Sequence, residues 1–265
     1  MATQAVKEGQ IRLLFVGETH IDGGTHAKGS NVFTQPRYVE DGQDFARALE
    51  NQGVLIERIP SHLVSSRFPT SIEALDSYDV VVISDVGADS FDLTPQCISG
   101  IRGVRVLQVL SDWVSQGGSL LMIGGYMSFS GIQGSARYQD SPLADVLPVE
   151  IFRYDDRVER SDGVDPKVVD TSHSIMKGLP DVWPCVLGYN KVQAKANASV
   201  LVKVDQDPLL TVGTYGLGRV AAYSSDCAPH WASLDFLKWS YYPQFFYGLA
   251  KWLGSREGGG VGFKI

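Results

Sequence analysis

The sequence has no Cys-x-x-Cys pair, no cluster of lysines and arginines, and no long apolar run. Each absence removes a class of function. With 23 Lys and Arg against 30 Asp and Glu, and a formal charge of −7, the surface is not built to neutralise phosphates, which argues against nucleic acid as a partner. Apolar runs such as residues 80–83 and 120–123 are far shorter than a bilayer, and the amino terminus has no signal-peptide core. A cytoplasmic protein without a membrane partner is therefore expected. Cys97, Cys185 and Cys227 are widely spaced and odd in number. Free thiols in a reducing compartment follow, rather than a zinc site or a disulfide framework.

What is present is an ordinary supply of core residues: 44% of 265 residues are hydrophobic, enough for one sizeable core. Residues 1–10 and 254–265 carry no apolar period and are expected to be tails around a single domain over 11–253. Residues 11–16 form a continuous apolar run ending at Gly17, the pattern of a strand buried on both faces. Phe45, Ala46 and Leu49 at helical spacing predict a helix over 38–52, and residues 54–59 predict the next strand. Thr70 or Ser71 can cap a short helix through Leu75, before a third buried strand over 79–84. Thr94-Pro95 opens a helical stretch whose apolar face is Val106, Val109, Leu110, Trp113 and Val114, ending at Gly117-Gly118, and a fourth strand covers 119–123. Three successive strand-helix-strand crossovers require a parallel sheet with helices on both faces, a three-layer, doubly wound, flavodoxin-like α/β fold.

After Gly125 the pattern becomes irregular, with an acidic loop that includes Asp155, Asp156, Glu159, Asp162 and Asp165, read as solvated. Strands over 198–204 and 208–213, with the glycines of 215–219 turning the chain into 220–225, predict an antiparallel C-terminal extension of the sheet. A helix after Pro243, carrying Tyr247, Leu249, Ala250, Trp252 and Leu253, closes the fold. Trp231, Phe236, Trp239, Tyr241, Tyr242, Phe245 and Phe246 crowd one segment, from which a homo-oligomer is expected.

In a doubly wound sheet, ligands collect beyond the carboxyl ends of the strands. Four loops meet that condition: Gly17-Glu18-Thr19-His20, Asp85-Val86-Gly87-Ala88, Gly124-Gly125-Tyr126-Met127, and Asp226 to Trp231. Glu18, Tyr126, Asp226, Cys227 and His230 are expected to line one cleft.

The segments 79–87, 117–126, 147–149, 155–159, 187–190 and 225–231 together resemble the family described as putative glutamine amidotransferases, within the class I glutamine amidotransferase-like superfamily, over residues 11–253. The resemblance implies that a nucleophilic cysteine should stand on the turn after the strand 120–123, activated by a distant histidine, with backbone N–H groups supporting the oxyanion. This chain has Gly125-Tyr126 there, with Ser128 and Ser130 nearby and no cysteine. Ordinary glutamine hydrolysis through that turn is not expected. The resemblance also puts the loop of Cys227 and His230 where the superfamily's catalytic histidine lies.

Each candidate has a plainer reading beside the functional one. Gly124 and Gly125 can simply turn the backbone or can admit a ligand. Tyr126 can present a phenol or fill a core. Cys227 can be a thiol paired with His230 and oriented by Asp226, or a small packing residue. Glu18, His20, Asp22 and His26 offer oxygen and nitrogen donors without any recognised ligand spacing, so no metal or other cofactor is expected. His173 is a turn residue or a site residue. Two functions remain. One is a binding domain holding a small polar or carbohydrate-like molecule with Glu18, His20, Asp85, Gly125, Tyr126 and Trp231. The other is a hydrolase of carbon–nitrogen or ester bonds using Cys227 or a bound water, His230 as base, and Asp226 or Asp85 to orient it.

Overall fold

The computed structural model describes residues 10–255, so the predicted tails lie almost wholly outside the described residues. Its strands are β1 Arg12–Gly17, β2 Thr19–Lys28, β3 Asn31–Glu40, β4 Leu55–Ile59, β5 Val80–Ser84, β6 Ser119–Ile123, β7 Val149–Ile151, β8 Arg157–Val164, β9 Lys167–Val168, β10 Val186–Asn190, β11 Val192–Ala194, β12 Ser199–Val204, β13 Asp207–Tyr215 and β14 Gly218–Tyr223. Eight of them form one sheet in the order β4-β1-β5-β6-β14-β13-β12-β9. The pairings from β4 to β14 are parallel, and those from β14 to β9 are antiparallel. The expected parallel trio is present as β1, β5 and β6, side by side.

Side-chain alternation along these strands supplies two cores. Leu13, Phe15, Val80, Val82, Leu121, Ile123, Ala221 and Tyr223 point to one face, where they pack with the helices Gln43–Glu50 and Tyr242–Gly254. Leu14, Val16, Val81, Ile83, Leu120, Met122, Val220 and Ala222 point to the other, against the helix Val106–Ser115. Burying each such side chain contributes about 1.5–3 kcal/mol, which is why the central strands read as unbroken apolar runs. Among the described residues no helix is long and apolar enough to cross a membrane.

Three expectations need correction. The helix predicted over 38–52 is shorter, Gln43–Glu50, because Tyr38, Val39 and Glu40 pair with Ile21, His20 and Thr19 at the root of a β2–β3 ribbon that the sequence reading missed. The stretch opened by Thr94 is two helices, Pro95–Ile98 and Val106–Ser115; Thr94 caps only the first, and Gly100 and Gly103 weaken the segment between them. Finally, five of the seven crowded aromatics, Trp231, Phe236, Tyr242, Phe245 and Phe246, are buried in the chain's own core. Tyr241 stays exposed and Trp239 half-buried, so the segment presents less apolar surface than its composition suggests.

Candidate functional site at the carboxyl edge of the parallel strands

Because β14 runs parallel to β6, the loop that follows it opens on the same sheet edge as those after β1, β5 and β6. Glu18 follows β1 with φ +55°, Asp85 follows β5 with φ +46°, and His230 lies beyond β14 with φ +107°. Left-handed backbone costs a non-glycine residue about 1 kcal/mol or more, so each is held by its surroundings. The Glu18 N–H donates to the Ser84 carbonyl at 2.9 Å, and the Glu18 carbonyl accepts from the Asp41 N–H at 3.1 Å. The Asp85 N–H donates to Ser128 Oγ at 3.1 Å, while its carboxylate accepts the Met127 N–H at 2.6 Å.

The inner part of the site is acidic. The Ser84 hydroxyl donates to Glu18 Oε2, the Cys227 thiol lies 3.9 Å from the same oxygen, and Ser84 Oγ and Cys227 Sγ are 3.8 Å apart. Asp226 accepts the Ala228 N–H at 2.9 Å. Glu18 and Asp226 are each 4% exposed and Cys227 is fully buried. Burial pushes the Glu18 carboxyl up to about 8, with further upward pressure from Asp85, against the Ser84 hydrogen bond. Asp226 is raised well above the usual carboxylate range by burial and then by Glu18 and Asp85. Asp85 is raised by burial, opposed by the Met127 N–H, His20 and His230. Cys227 is raised well above a free thiol by burial and by the two acids beside it. Burial thus favours the neutral forms of these acids and of the thiol beside them.

The outer part is aromatic and mixed in charge. The Tyr126 ring meets His230 edge-on at 4.7 Å and Trp231 at 5.7 Å, and the Arg157 guanidinium lies 4.7 Å from the Tyr126 centroid. Glu159 accepts from the Tyr126 hydroxyl at 2.9 Å and from Trp231 Nε1 at 3.1 Å, and His230 Nε2 is 3.8 Å from it. Trp231 is completely buried in a seat that Gly188 makes possible, since a Cβ there would fall 2.2 Å from the indole. Gly125, at φ +153°, brings the two parts together: a Cβ at that position would sit 2.7 Å from Asp85 Oδ1.

A second buried carboxyl holds this turn in place. Asp156, 1% exposed, accepts the Ser130 and Gly131 N–H groups at 2.9 Å each and Asn190 Nδ2 at 2.8 Å, and Asn190 Oδ1 accepts the Gly125 N–H at 3.0 Å. The solvated reading of the 155–165 loop thus fails at Asp156, which burial raises to about 6 against the pull of those donors.

Of the residues singled out in the sequence, Glu18, Asp85, Asp226 and Cys227 form the inner part, and Tyr126, His230 and Trp231 the outer. His20 stands on β2, half exposed, with Nδ1 3.2 Å from Asp41. His26 is stacked on Phe33 out on the ribbon, and His173 caps a turn by accepting the Ile175 N–H. No side-chain hydrogen bond joins the Cys227 thiol, the His230 imidazole and the Asp226 carboxylate to one another among the described residues; the thiol faces Glu18 and Ser84, and the imidazole faces Tyr126 and Glu159. Ligand atoms of Glu18, Asp226 and Cys227 lie within 4.8 Å of one another, a set that suits a divalent cation in number but holds its protons tightly. Sequence reasoning missed Ser84, Arg157, Glu159, Asn190 and the anchoring role of Asp156. Only the resemblance segments around 155–159 and 187–190 pointed near the last four.

A family model described as "Putative glutamine amidotransferase" matches residues 12–255. Among solved structures, the chain is 38% identical to cytoplasmic protein STM3548 from Salmonella typhimurium, covering 91% of this chain and 98% of that one, with a TM-score of 0.87. It is 39% identical to cytoplasmic protein STM1381 from Salmonella typhimurium LT2, covering 92% and 99%, with a TM-score of 0.88. A ThuA-like protein from Parabacteroides merdae, 11% identical over 93% of this chain and 90% of that one with a TM-score of 0.55, shares the fold. No curated protein matches the sequence.

Proposed function

The chain belongs to the "Putative glutamine amidotransferase" family, and from that premise we propose that it binds a small polar ligand at the carboxyl edge of its parallel strands without using a thiolate. The observation that carries this reading is the convergence of Glu18, Asp85 and Asp226, from three different strand ends, with few donors of their own. Burying acids in this way is costly, and backbone strain at Glu18, Asp85 and His230 adds to the cost. A floor of carboxyls that favour their neutral form offers both O–H donors and acceptors, which suits a hydroxylated molecule, or an ammonium-bearing one that displaces their protons, with Tyr126 and His230 at its edge and His20 nearby.

A nucleophilic Cys227 fits this surrounding poorly. Its thiol is buried beside acids that oppose its ionisation, and among the described residues its hydrogen-bonding neighbours are Ser84 and Glu18, neither of them a base for it. The turn after β6, where the superfamily's cysteine stands, offers Gly125-Tyr126. A cytoplasmic setting, in which both Salmonella relatives are described, agrees with three free cysteines.

Titration calorimetry of the full chain against a panel of polyols, sugars and polyamines tests the proposal. At least one class should bind saturably, and Glu18→Gln and Asp226→Asn should each weaken it about tenfold or more. Binding indifferent to both substitutions, or ammonia release from glutamine abolished by Cys227→Ala, overturns the reading.

A further inference from the structure

The β2–β3 ribbon is an amphipathic sheet with no core beneath it. Its strands pair in unbroken register from Thr19↔Glu40 to Lys28↔Asn31 around a two-residue turn at Gly29-Ser30. Cross-strand partners share a face. One face therefore carries Ile21 with Tyr38, Gly23 with Pro36, Thr25 with Thr34, and Ala27 with Val32, and it has no charge beyond the root. The other carries all the ribbon's charge beyond the root, Lys28 and the Asp22–Arg37 ion pair, together with His20, Gln35, Val39, and Phe33 stacked on His26. Alternation of this kind marks one face for burial, yet Ile21 and Val32 are each 65% exposed. A two-stranded ribbon is marginal in water unless something packs on it.

The apolar face is seated at its root, where Tyr38 meets His62 edge-on at 5.3 Å. From there the surface continues: His62 and Leu93 line one shallow cavity with Ser61, Ser65, Asp89 and Ser90. Leu93 begins a second exposed apolar set, with Ile98 75%, Ile101 60% and Val104 50% exposed. One chain thus carries two uncovered apolar surfaces joined through His62.

We propose that the ribbon is a dimerisation arm, the apolar face of each arm covering the 93–104 segment of a second copy of this chain about a two-fold axis. Area favours a second copy over an unrelated partner. Ten residues per strand and two strands give a face of about 340 Å². Two arms and the two surfaces they cover remove about 1,400 Å² from water, within the range of stable interfaces, whereas one arm on a foreign protein removes about half of that. A two-fold contact is self-complementary, so one pairing of arm and patch satisfies both surfaces twice. β2 begins at the residue after Glu18, so docking also fixes the mouth of the proposed binding site.

Sedimentation equilibrium and light scattering on the full chain test this, using Ile21→Ser/Val32→Ser on the arm and Ile98→Ser/Ile101→Ser on the patch. All four residues are exposed, so both variants should keep the wild-type circular dichroism. The wild type should be a dimer, and each double substitution should raise its dissociation constant about tenfold or more. A wild type that is monomeric at about 100 µM, leaving the arm for a different protein, overturns the proposal. So does a dimer whose dissociation constant either double substitution leaves unchanged.

Discussion

The buried carboxyls of this fold are solvated in two different ways. Asp156 gathers three N–H donors, from Ser130, Gly131 and Asn190, and through them fixes the turn that carries Gly125. Glu18 has the Ser84 hydroxyl and the Cys227 thiol beside it, Asp226 has the Ala228 and Cys227 backbone N–H groups, and the two acids face each other and Asp85. The first arrangement replaces water with fixed donors and needs nothing further. In the second, burial and the neighbouring Asp85 outweigh the donors present: Glu18 rises to about 8, whereas Asp156 rises only to about 6. Donors, burial and a neighbouring acid together set the two apart.

The largest effect should come from the satisfied group. Asp156→Ala strands three buried N–H groups and should cost about 3–5 kcal/mol, measured by urea unfolding, with Gly125–Gly131 losing amide protection first. Equal substitutions in the other group should behave differently. Glu18→Gln should be close to neutral at pH 5 and stabilising at pH 8. Because the folded state holds the Glu18 proton more tightly than the unfolded chain, that contribution is complete below about pH 4.3 and fades as the pH rises toward 8, by up to about 1.4 kcal/mol per pH unit. A Glu18→Gln protein whose advantage over wild type shrinks with rising pH contradicts the comparison.

A smaller effect concerns the thiols. Iodoacetamide at pH 8 should label exposed Cys97 readily and buried Cys227 at least about 100-fold more slowly, followed by mass spectrometry. Labelling of Cys227 at the rate of Cys97 points to an activated thiolate and favours the hydrolase reading.

Much of the sheet was legible in the sequence. Residues 80–84 and 119–123 are buried on both faces, and the unbroken apolar runs that follow from this announce parallel strands without ambiguity. The ribbon was not seen, although Gly29-Ser30 between alternating residues is a hairpin signal, because glycines at 23 and 24 and scattered histidines dilute the alternation. Phe45, Ala46 and Leu49 gave the following helix its face but not its start, since Gly42 carries no side-chain cap. In the site, strand ends pointed to Glu18, Asp85, Tyr126 and the Asp226–Trp231 loop. Ser84 was hidden inside its strand, and Arg157 and Glu159 arrive on β8, which pairs with β10 outside the main sheet. Whether an acid such as Asp156 is solvated by water or by backbone N–H groups depends on contacts distant in sequence, and composition cannot reveal it.

Carbon-detected NMR titration of the Glu18 side-chain carboxyl in the wild-type chain tests the central claim most directly, with Asp156 as the internal reference. Glu18 should keep its proton to about pH 8 while Asp156 loses its own near 6. A Glu18 carboxyl that ionises below Asp156, near the ordinary value of about 4.3, contradicts the account.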